Sequence, residues 1–302
     1  TPPADAEYLH YGYCKTIDTI PMTPDGKPTP ALLTKTALES ASIPHLTINA
    51  GSKITPQLPF METGLPFGKN ISVESAMTDS EVSTAVEYGR IVGRNMASLT
   101  DCLVIGESIP GGTTTALAVL RAFDFDAKTS SSIPTNPIKL KNEIVDSALK
   151  RIDSDHPYSV LAKVGDPMIA FVAGMLSSAS AVSKVMLAGG TQMTAVLAFA
   201  SKIGFNEENT AIGTTSYITN DQNANFTNVV KQIADIPAIS VNPGLNNSKY
   251  SGLKAFSEGF GKEGAGAGGS IISSMLKTGN NSAKFLNLAE QEYDRLTTLS
   301  GT

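Results

Sequence analysis

One pattern recurs along the chain and constrains its fold more than any other: a short apolar run, a glycine-bearing turn, then an Ala- and Leu-rich segment. CLVIG (Cys102 to Gly106) leads through GESIPGGTTT into ALAVLRAF. KVMLAGG (Lys184 to Gly190) leads into MTAVLAFASKI, and TAIGTTSYI and AISVNPG supply two further strand candidates. Short buried strands alternating with helices predict an α/β domain around a largely parallel sheet. The expected architecture has three layers, with helices on both faces in a Rossmann-like arrangement. Ligands of such sheets bind beyond the C-terminal strand ends. Here Gly51, Gly106, Gly189, Gly190, Gly213 and Gly244 stand at those ends. A single glycine there can simply make a tight turn, whereas several together suggest a crevice.

The other segments fill in the order. PALLTKTALESA (Pro30 to Ala41) reads as a helix with Pro in its first turn. HLTINAG (His45 to Gly51) reads as a short strand. Residues 1–30 and 52–73, rich in Pro and Gly, read as irregular. Thr78 with Glu81 three residues later is a capping box. Further helices are expected over Ile138 to Ile152, after the Asp166-Pro167 cap, over GAGAGGSIISSML (Gly264 to Leu276) and near the C-terminus. The Gly, Ala and Ser content after Pro167 suggests close packing against a sheet. A single domain over 1–302 is expected, with a core of about 44–276. Residues 1–43 and 277–302 would be peripheral, forming a small helical subdomain from the two chain ends.

Composition excludes several functions. The 302 residues carry 23 Lys and Arg against 28 Asp and Glu, without a basic stripe, so nucleic acid is not an expected partner. The two cysteines, Cys14 and Cys102, have no CxxC spacing, which fits a reducing, cytoplasmic setting. His10, His45 and His156 are scattered, so no metal site is expected. No apolar run of membrane-spanning length and no signal peptide is read.

The turn at 106–115 holds the main candidate site. Gly106-x-x-x-x-Gly111 starts like a nucleotide-triphosphate loop, but Gly112 stands where that motif has lysine. Glycines let backbone approach an anion, and a helix N-terminus offers unpaired N–H groups and a positive dipole end. Gly111, Gly112, Thr113, Thr114 and Thr115 therefore fit one phosphate better than three; the alternative is a plain threonine cap. Gly189 and Gly190 repeat the strand-glycine-helix pattern as a second phosphate candidate. Glu107 would repel a phosphate and fits a hydroxyl, or an uncharged or cationic part of a ligand. In GKEGAGAGGS, Gly264, Gly266 and Gly269 spell G-x-G-x-x-G, but no clear strand precedes them, so a dinucleotide site is discounted. Glu263 stands there beside residues with almost no side chain, leaving room for a flat ligand. Burial would raise its pKa toward a general base's range; the alternative is a helix-dipole complement. Glu258 is the rival carboxylate.

Several of these segments together resemble the nicotinate mononucleotide:5,6-dimethylbenzimidazole phosphoribosyltransferase family. Gly106-Glu107 and Thr114-Thr115 are similar to its Gly-Glu-x-Gly-x-x-Asn-Thr-Thr loop. Asn70, Glu74, Ala76, Met77 and Thr78 are similar to its Asn and Glu-x-Ala-Met-Thr segment. KEGAGAGG resembles its Gly-Glu-Gly-Thr-Gly-Ala motif, which places Glu263 on the catalytic glutamate. Ser132, Ile133 and Pro134 replace a Gly-Thr-Gly stretch, and a family lysine falls on Glu143, with Lys139 and Lys141 close by. The resemblance spans roughly 68–276 and suggests a divergent branch found in archaea and some cyanobacteria. It implies transfer of phosphoribosyl from nicotinate mononucleotide to dimethylbenzimidazole or a related base, for the lower ligand of cobamides. It also implies Glu263 and Glu107 as catalytic, Gly264, Gly266 and Glu258 around base and ribose, no cofactor, and a homodimer. A nucleotide-binding regulatory homologue without activity and a transferase with another acceptor stay open.

Overall fold

The computed structural model describes residues 2–17, 22 and 26–300; residues 18–21 and 23–25 of the irregular opening lie outside the described residues. Helices α1 (Pro2–Tyr11) and α2 (Ala31–Ser40) precede a small parallel pair, β1 (Ile48–Asn49) and β2 (Met61–Glu62), with Ile48 opposite Met61. Helix α3 (Asp79–Ala97) leads to β3 (Cys102–Gly106). Then come α4 (Gly112–Ala122), α5 (Ile138–Leu149), α6 (Pro157–Val164) and α7 (Pro167–Ala179). After them follow β4 (Lys184–Ala188), α8 (Thr191–Ile203), β5 (Thr210–Thr215), α9 (Ser216–Thr219), α10 (Phe226–Ile233) and β6 (Ala238–Val241). The chain closes with α11 (Ser251–Lys254), α12 (Ala267–Thr278) and α13 (Ser282–Ser300).

Strands β3, β4, β5 and β6 lie side by side in chain order, all parallel. Gly106 pairs with Ala188, and Ala188 with Gly213, so the glycine-bearing ends line up at one edge. Right-handed crossovers that always step the same way put their helices on one face. That face holds the larger core, in which Val86, Leu117, Phe171, Leu176 and Phe199 pack with Val185, Leu187 and Ile212. The other face is covered by α12, which touches all four strands and is backed by α2. A second core joins Tyr8, Leu32 and Leu33 from the start of the chain to Phe256, Ile271 and Phe285 from its end. The expected three layers are present, and both chain ends contribute to one of them.

Local chemistry explains the boundaries. Thr78 accepts from the Glu81 N–H at 3.2 Å while Glu81 accepts from the Thr78 N–H at 2.7 Å, the reciprocal cap that starts α3. Asp166 caps α7 through the Met168 N–H at 2.9 Å. The small residues of α7 serve a helix and not a sheet. A Cβ on Gly89 would stand 2.0 Å from the Phe171 carbonyl, and one on Gly174 would stand 2.3 Å from that of Val86. Helices α3 and α7 therefore meet backbone to backbone.

Three expectations change. Residues 2–11 form a helix, which Pro at the first positions permits; buried Tyr8 donates from it to Glu292. The strand expected from His45 shrinks to Ile48–Asn49. Helices α6 and α10, whose short stretches gave no clear sequence signal, fill the space around α8.

Candidate active site

Ligand crevices in open α/β sheets usually form where the strand order reverses. The order β3-β4-β5-β6 has no reversal. The crevice expected at the strand ends is instead crossed by the loop before α12, which packs closely against them. A Cβ on Gly106 would lie 2.9 Å from the Gly266 Cα, and one on Gly268 would lie 2.2 Å from the Thr214 backbone. The loop is held in place by hydrogen bonds. Thr34 of α2 donates to the Ala265 carbonyl at 2.9 Å, Thr215 donates to that of Lys262 at 2.6 Å, and the Gly261 N–H reaches the Ser132 carbonyl at 2.8 Å. Ala265 is held at φ 49°, and Gly266 follows at φ 74°. Positive φ at a residue with a side chain is strained, and strain of this kind persists only where the surroundings fix it.

Glu263 sits in this loop with both carboxylate oxygens occupied. Oε2 accepts from the Thr215 N–H at 2.9 Å and the Thr214 hydroxyl at 3.1 Å. Oε1 accepts from the N–H groups of Gly268 at 3.0 Å and Gly264 at 3.2 Å. The side chain ties the end of β5 to the first turn of α12. Burial pushes its pKa up, and those four bonds oppose the shift without cancelling it.

Glu107 follows β3 and faces Gly189, whose added Cβ would lie 3.8 Å from Glu107 Oε1. It is 7% exposed, and its Oε2 is buried without a hydrogen-bond partner. Burial, then the charges of Glu263 and Asp166, push its pKa up to about 8, against a bond from the Ile109 backbone. Asp166 is itself pushed up to about 6 by burial, opposed by the Met168 N–H. Ser108, next to Glu107, donates to Asp5 of α1 at 2.7 Å, and Thr29 donates to the other Asp5 oxygen at 2.8 Å. Glu107 thus lies buried within reach of the charges of Glu263 and Asp166, and Asp5 steadies the loop that carries it.

Next to Glu263, beginning at Lys262, lies a basic corner. Lys262 is 7% exposed; its Nζ meets Asp221 at 2.9 Å and the Ser131 carbonyl at 3.1 Å. Lys141 is 4% exposed and donates to the Ser130 carbonyl at 2.5 Å. Burial, then the neighbouring Lys262 charge, lower its pKa to about 8, with Asp221 pulling the other way. Burial works to raise the Asp221 pKa, yet bonds from Ser130, Asn223 and Lys262 leave it below the usual range. Lys262 pairs with Asp221 whereas buried Lys141 meets the Ser130 carbonyl, so the corner has one carboxylate for two ammonium groups and could take a second anion.

The sequence model of the phosphoribosyltransferase family matches residues 48–217. A UPF0284 protein of Archaeoglobus fulgidus is 44% identical over 296 residues, covering 98% of this chain and 85% of the relative. A UPF0284 protein of Sulfurisphaera tokodaii is 42% identical over 301 residues, covering 99% and 86%. The crystal structure of nicotinate-nucleotide-dimethylbenzimidazole phosphoribosyltransferase from Thermus thermophilus has a similar fold, with TM-score 0.60 and 17% identity over 84% of this chain and 71% of that one. The chain belongs to the nicotinate-nucleotide-dimethylbenzimidazole phosphoribosyltransferase family.

Within this family member the residues singled out from sequence fall into three groups. Glu107, Glu263, Gly106, Gly189, Gly264 and Gly266 come together at the crevice. Gly111 to Thr115 begin α4: Gly111 is an exposed left-handed cap with open space around it, and Thr113, Thr114 and Thr115 are half-buried. The missing lysine has a steric reason. A Cβ on Gly112 would stand 2.5 Å from the Ile109 side chain and 2.8 Å from that of Gln192. Gly190 is buried, and the turn it starts is covered by Ser130, whose N–H reaches the Thr191 hydroxyl at 3.3 Å. Glu258 is exposed and is not among the charges that shift Glu107.

Sequence reasoning gave no site role to Asp5, Asp166, Asp221, Ser130 or Lys262. It left the lysine position open between 139 and 143. Lys139 and Glu143 are exposed and lie 3.9 Å apart, whereas Lys141 shares the buried face of α5 with Val145 and Ala148. That i, i+4, i+7 spacing was a readable signal. No helix among the described residues is long and apolar enough to cross a membrane.

Proposed function

We propose that the protein transfers phosphoribosyl from a pyridine mononucleotide, nicotinate mononucleotide as the family resemblance implies, to dimethylbenzimidazole or a related base. The product would be an α-ribazole-type phosphate used as a cobamide lower ligand. The observation that carries this reading is the pair of buried glutamates, Glu107 and Glu263, beside glycine backbone, with anion-compatible groups on either side. A lone pair on the acceptor's ring nitrogen forms the new bond to C1′. The bond from C1′ to the pyridinium nitrogen breaks and returns its electron pair to that nitrogen, so the ring loses its positive charge and leaves as nicotinate. The acceptor's other nitrogen gives up its proton to a carboxylate, and the configuration at C1′ inverts from β to α. Positioning and a general base suffice, because the departing ring is already cationic.

Glu263 is the base in this reading, held by β5 and α12, while Glu107 with its open oxygen contacts the ligand directly. Gly264 and Gly266 present backbone without side chains toward the acceptor. The 5′-phosphate sits at the first turn of α4, on Gly111 to Thr115. The basic corner of Lys141 and Lys262 supports a second placement of the same phosphate, because Asp221 pairs with Lys262 while Lys141 meets a backbone carbonyl. A homodimer remains part of the proposal through the family resemblance. The decisive assay adds nicotinate mononucleotide with and without dimethylbenzimidazole. Acceptor-dependent release of free nicotinate supports the transferase. Tight mononucleotide binding without release would favour a regulatory homologue.

A further inference from the structure

The turns that carry Glu107 and Glu263 are both held by the two helices that open the chain. Ser108, which follows Glu107, donates to Asp5 Oδ2 of α1 at 2.7 Å. The carbonyl of Ala265, two positions after Glu263, accepts from the Thr34 hydroxyl of α2 at 2.9 Å. Asp5 and Thr34 stand in the stretch 1–43 that the sequence suggested was peripheral. The two helices form one unit. Thr29, just before α2, donates to Asp5 Oδ1 at 2.8 Å, and Tyr8 of α1 shares a core with Leu32 and Leu33 of α2. Asp5 thus spends one oxygen on the Glu107 turn and the other on the start of α2, and bonds to a carboxylate are among the stronger ones. Pro30 backs the second anchor, since a Cβ on Gly264 would lie 3.3 Å from its ring. Helix α1 is tied down separately: Glu7 accepts from the N–H groups of Lys15 and Gln57, both at 2.7 Å. Ala265 at φ 49° needs such outside support, because a side-chain-bearing residue keeps that backbone only where its surroundings fix it.

We propose that Asp5 and Thr34 are positioning residues, and that α1 and α2 form a clamp that fixes the Glu107 turn against the Glu263 turn. The proposal rests on the phosphoribosyl-transfer reading and adds to it two residues that act only through the glutamates. The two turns also meet directly, since a Cβ on Gly106 would lie 2.9 Å from Gly266 Cα. Slack at either anchor therefore moves one glutamate relative to the other. Displacement of a reacting group by a fraction of an ångström lowers the rate of the chemical step before it weakens binding. The hydrogen bonds of Asp5 and Thr34 go to Ser108, Thr29 and Ala265, and not to either placement of the phosphate. Loss of the clamp should accordingly appear in kcat and leave the KM for the mononucleotide almost unchanged.

The test uses variants of the full chain. Asp5→Ala and Ser108→Ala remove the first anchor from either side, so one remains informative if the other fails to fold. Thr34→Val removes the second anchor at nearly constant volume. Asp5→Asn keeps an acceptor for one hydroxyl and offers an N–H to the other, and Thr34→Ser keeps the donor. Release of nicotinate from nicotinate mononucleotide with dimethylbenzimidazole gives kcat and KM per folded molecule. The three disruptive variants should lose about tenfold in kcat with KM within about twofold, and the two conservative ones should return to within about threefold of the parent kcat. Asp5→Ala combined with Ser108→Ala should be no worse than either alone, because both remove one bond. An unchanged kcat in the disruptive variants, or a loss that the conservative ones do not recover, would overturn the clamp. Amide hydrogen exchange reads the clamp without the chemistry. Asp5→Ala should speed exchange over 107–112, and Thr34→Val over 264–268, by about tenfold or more, with α8 unaffected. If the parent releases no nicotinate, the transferase reading fails and the exchange rates alone decide the clamp. If release is normal while neither exchange nor kcat changes, the clamp fails and the transferase reading stands.

Discussion

Glu107 and Glu263 end neighbouring turns of one crevice and are both buried carboxylates, yet they are built differently. Glu263 takes four hydrogen bonds that join β5 to α12. Glu107 keeps one oxygen without any partner. Burial raises both pKa values; four donors oppose the shift at Glu263, while at Glu107 burial and then the charges of Glu263 and Asp166 push it up to about 8. Burial alone does not define a site residue. The hydrogen bonds that remain unmade show where a ligand is expected, and those already made show what fixes the geometry.

The largest expected effect comes from Glu263→Gln. Losing a positioned base lowers turnover by roughly a thousandfold, while calorimetry should show mononucleotide affinity within about threefold of the parent, far less than the tenfold that 1.4 kcal/mol would give. If turnover is unchanged, the division of roles between the two glutamates breaks.

Glu107→Gln should cost less, roughly ten- to a hundredfold in kcat/KM, because it removes a ligand contact and leaves the base in place. Its pH behaviour sharpens the comparison. A carboxyl raised from 4.5 to about 8 keeps its proton in the folded state while the unfolded chain loses it. Stability should therefore fall as pH rises from about 4.5 through about 8. Glu107→Gln lacks that loss, so thermal melts should favour the variant more at pH 9 than at pH 5. A constant difference between the two would mean that Glu107 titrates normally.

The phosphate placements separate next. Thr114→Val should weaken mononucleotide affinity about threefold if the phosphate rests on α4, the size of one neutral hydrogen bond. Lys141→Met should weaken it about tenfold if the phosphate rests in the basic corner, since a charge-assisted bond is stronger. The substitution that alters affinity identifies the seat. The smallest effect is expected from Gly266→Ala, read as stability. The residue stands at φ 74°, and its Cβ would lie 3.0 Å from Gly106 Cα. A loss of about 1–2 kcal/mol in urea melts is expected from strain and crowding. A neutral result would mean that the crevice tolerates movement of the loop.

Much of the sheet was legible because its strands are short apolar runs closed by glycine, and because Thr78 and Asp166 carry recognisable caps. Glu263 stood out because it precedes a turn poor in side chains, and Glu107 because a carboxylate is out of place beside a phosphate-like loop. Less legible was what depends on distant residues. Asp166 reads as a helix cap, and nothing in its neighbourhood shows that its charge reaches buried Glu107. Lys262 and Asp221 lie 41 positions apart and meet only when β6 and its flanking helices are in place. The helix at 2–11 was hidden by its prolines. The close packing of α7 was expected against a sheet, since small residues show that something approaches without showing what it is.

Proton NMR of the reaction mixture offers the most direct test of phosphoribosyl transfer by the glutamate pair. The full chain is mixed with a pyridine mononucleotide and dimethylbenzimidazole, and the anomeric proton is followed. Transfer with inversion predicts an α-configured N-ribosylbenzimidazole phosphate, formed one for one with free pyridine base and absent in Glu263→Gln. A β-configured product, or the same product at the same rate from Glu263→Gln, would contradict it.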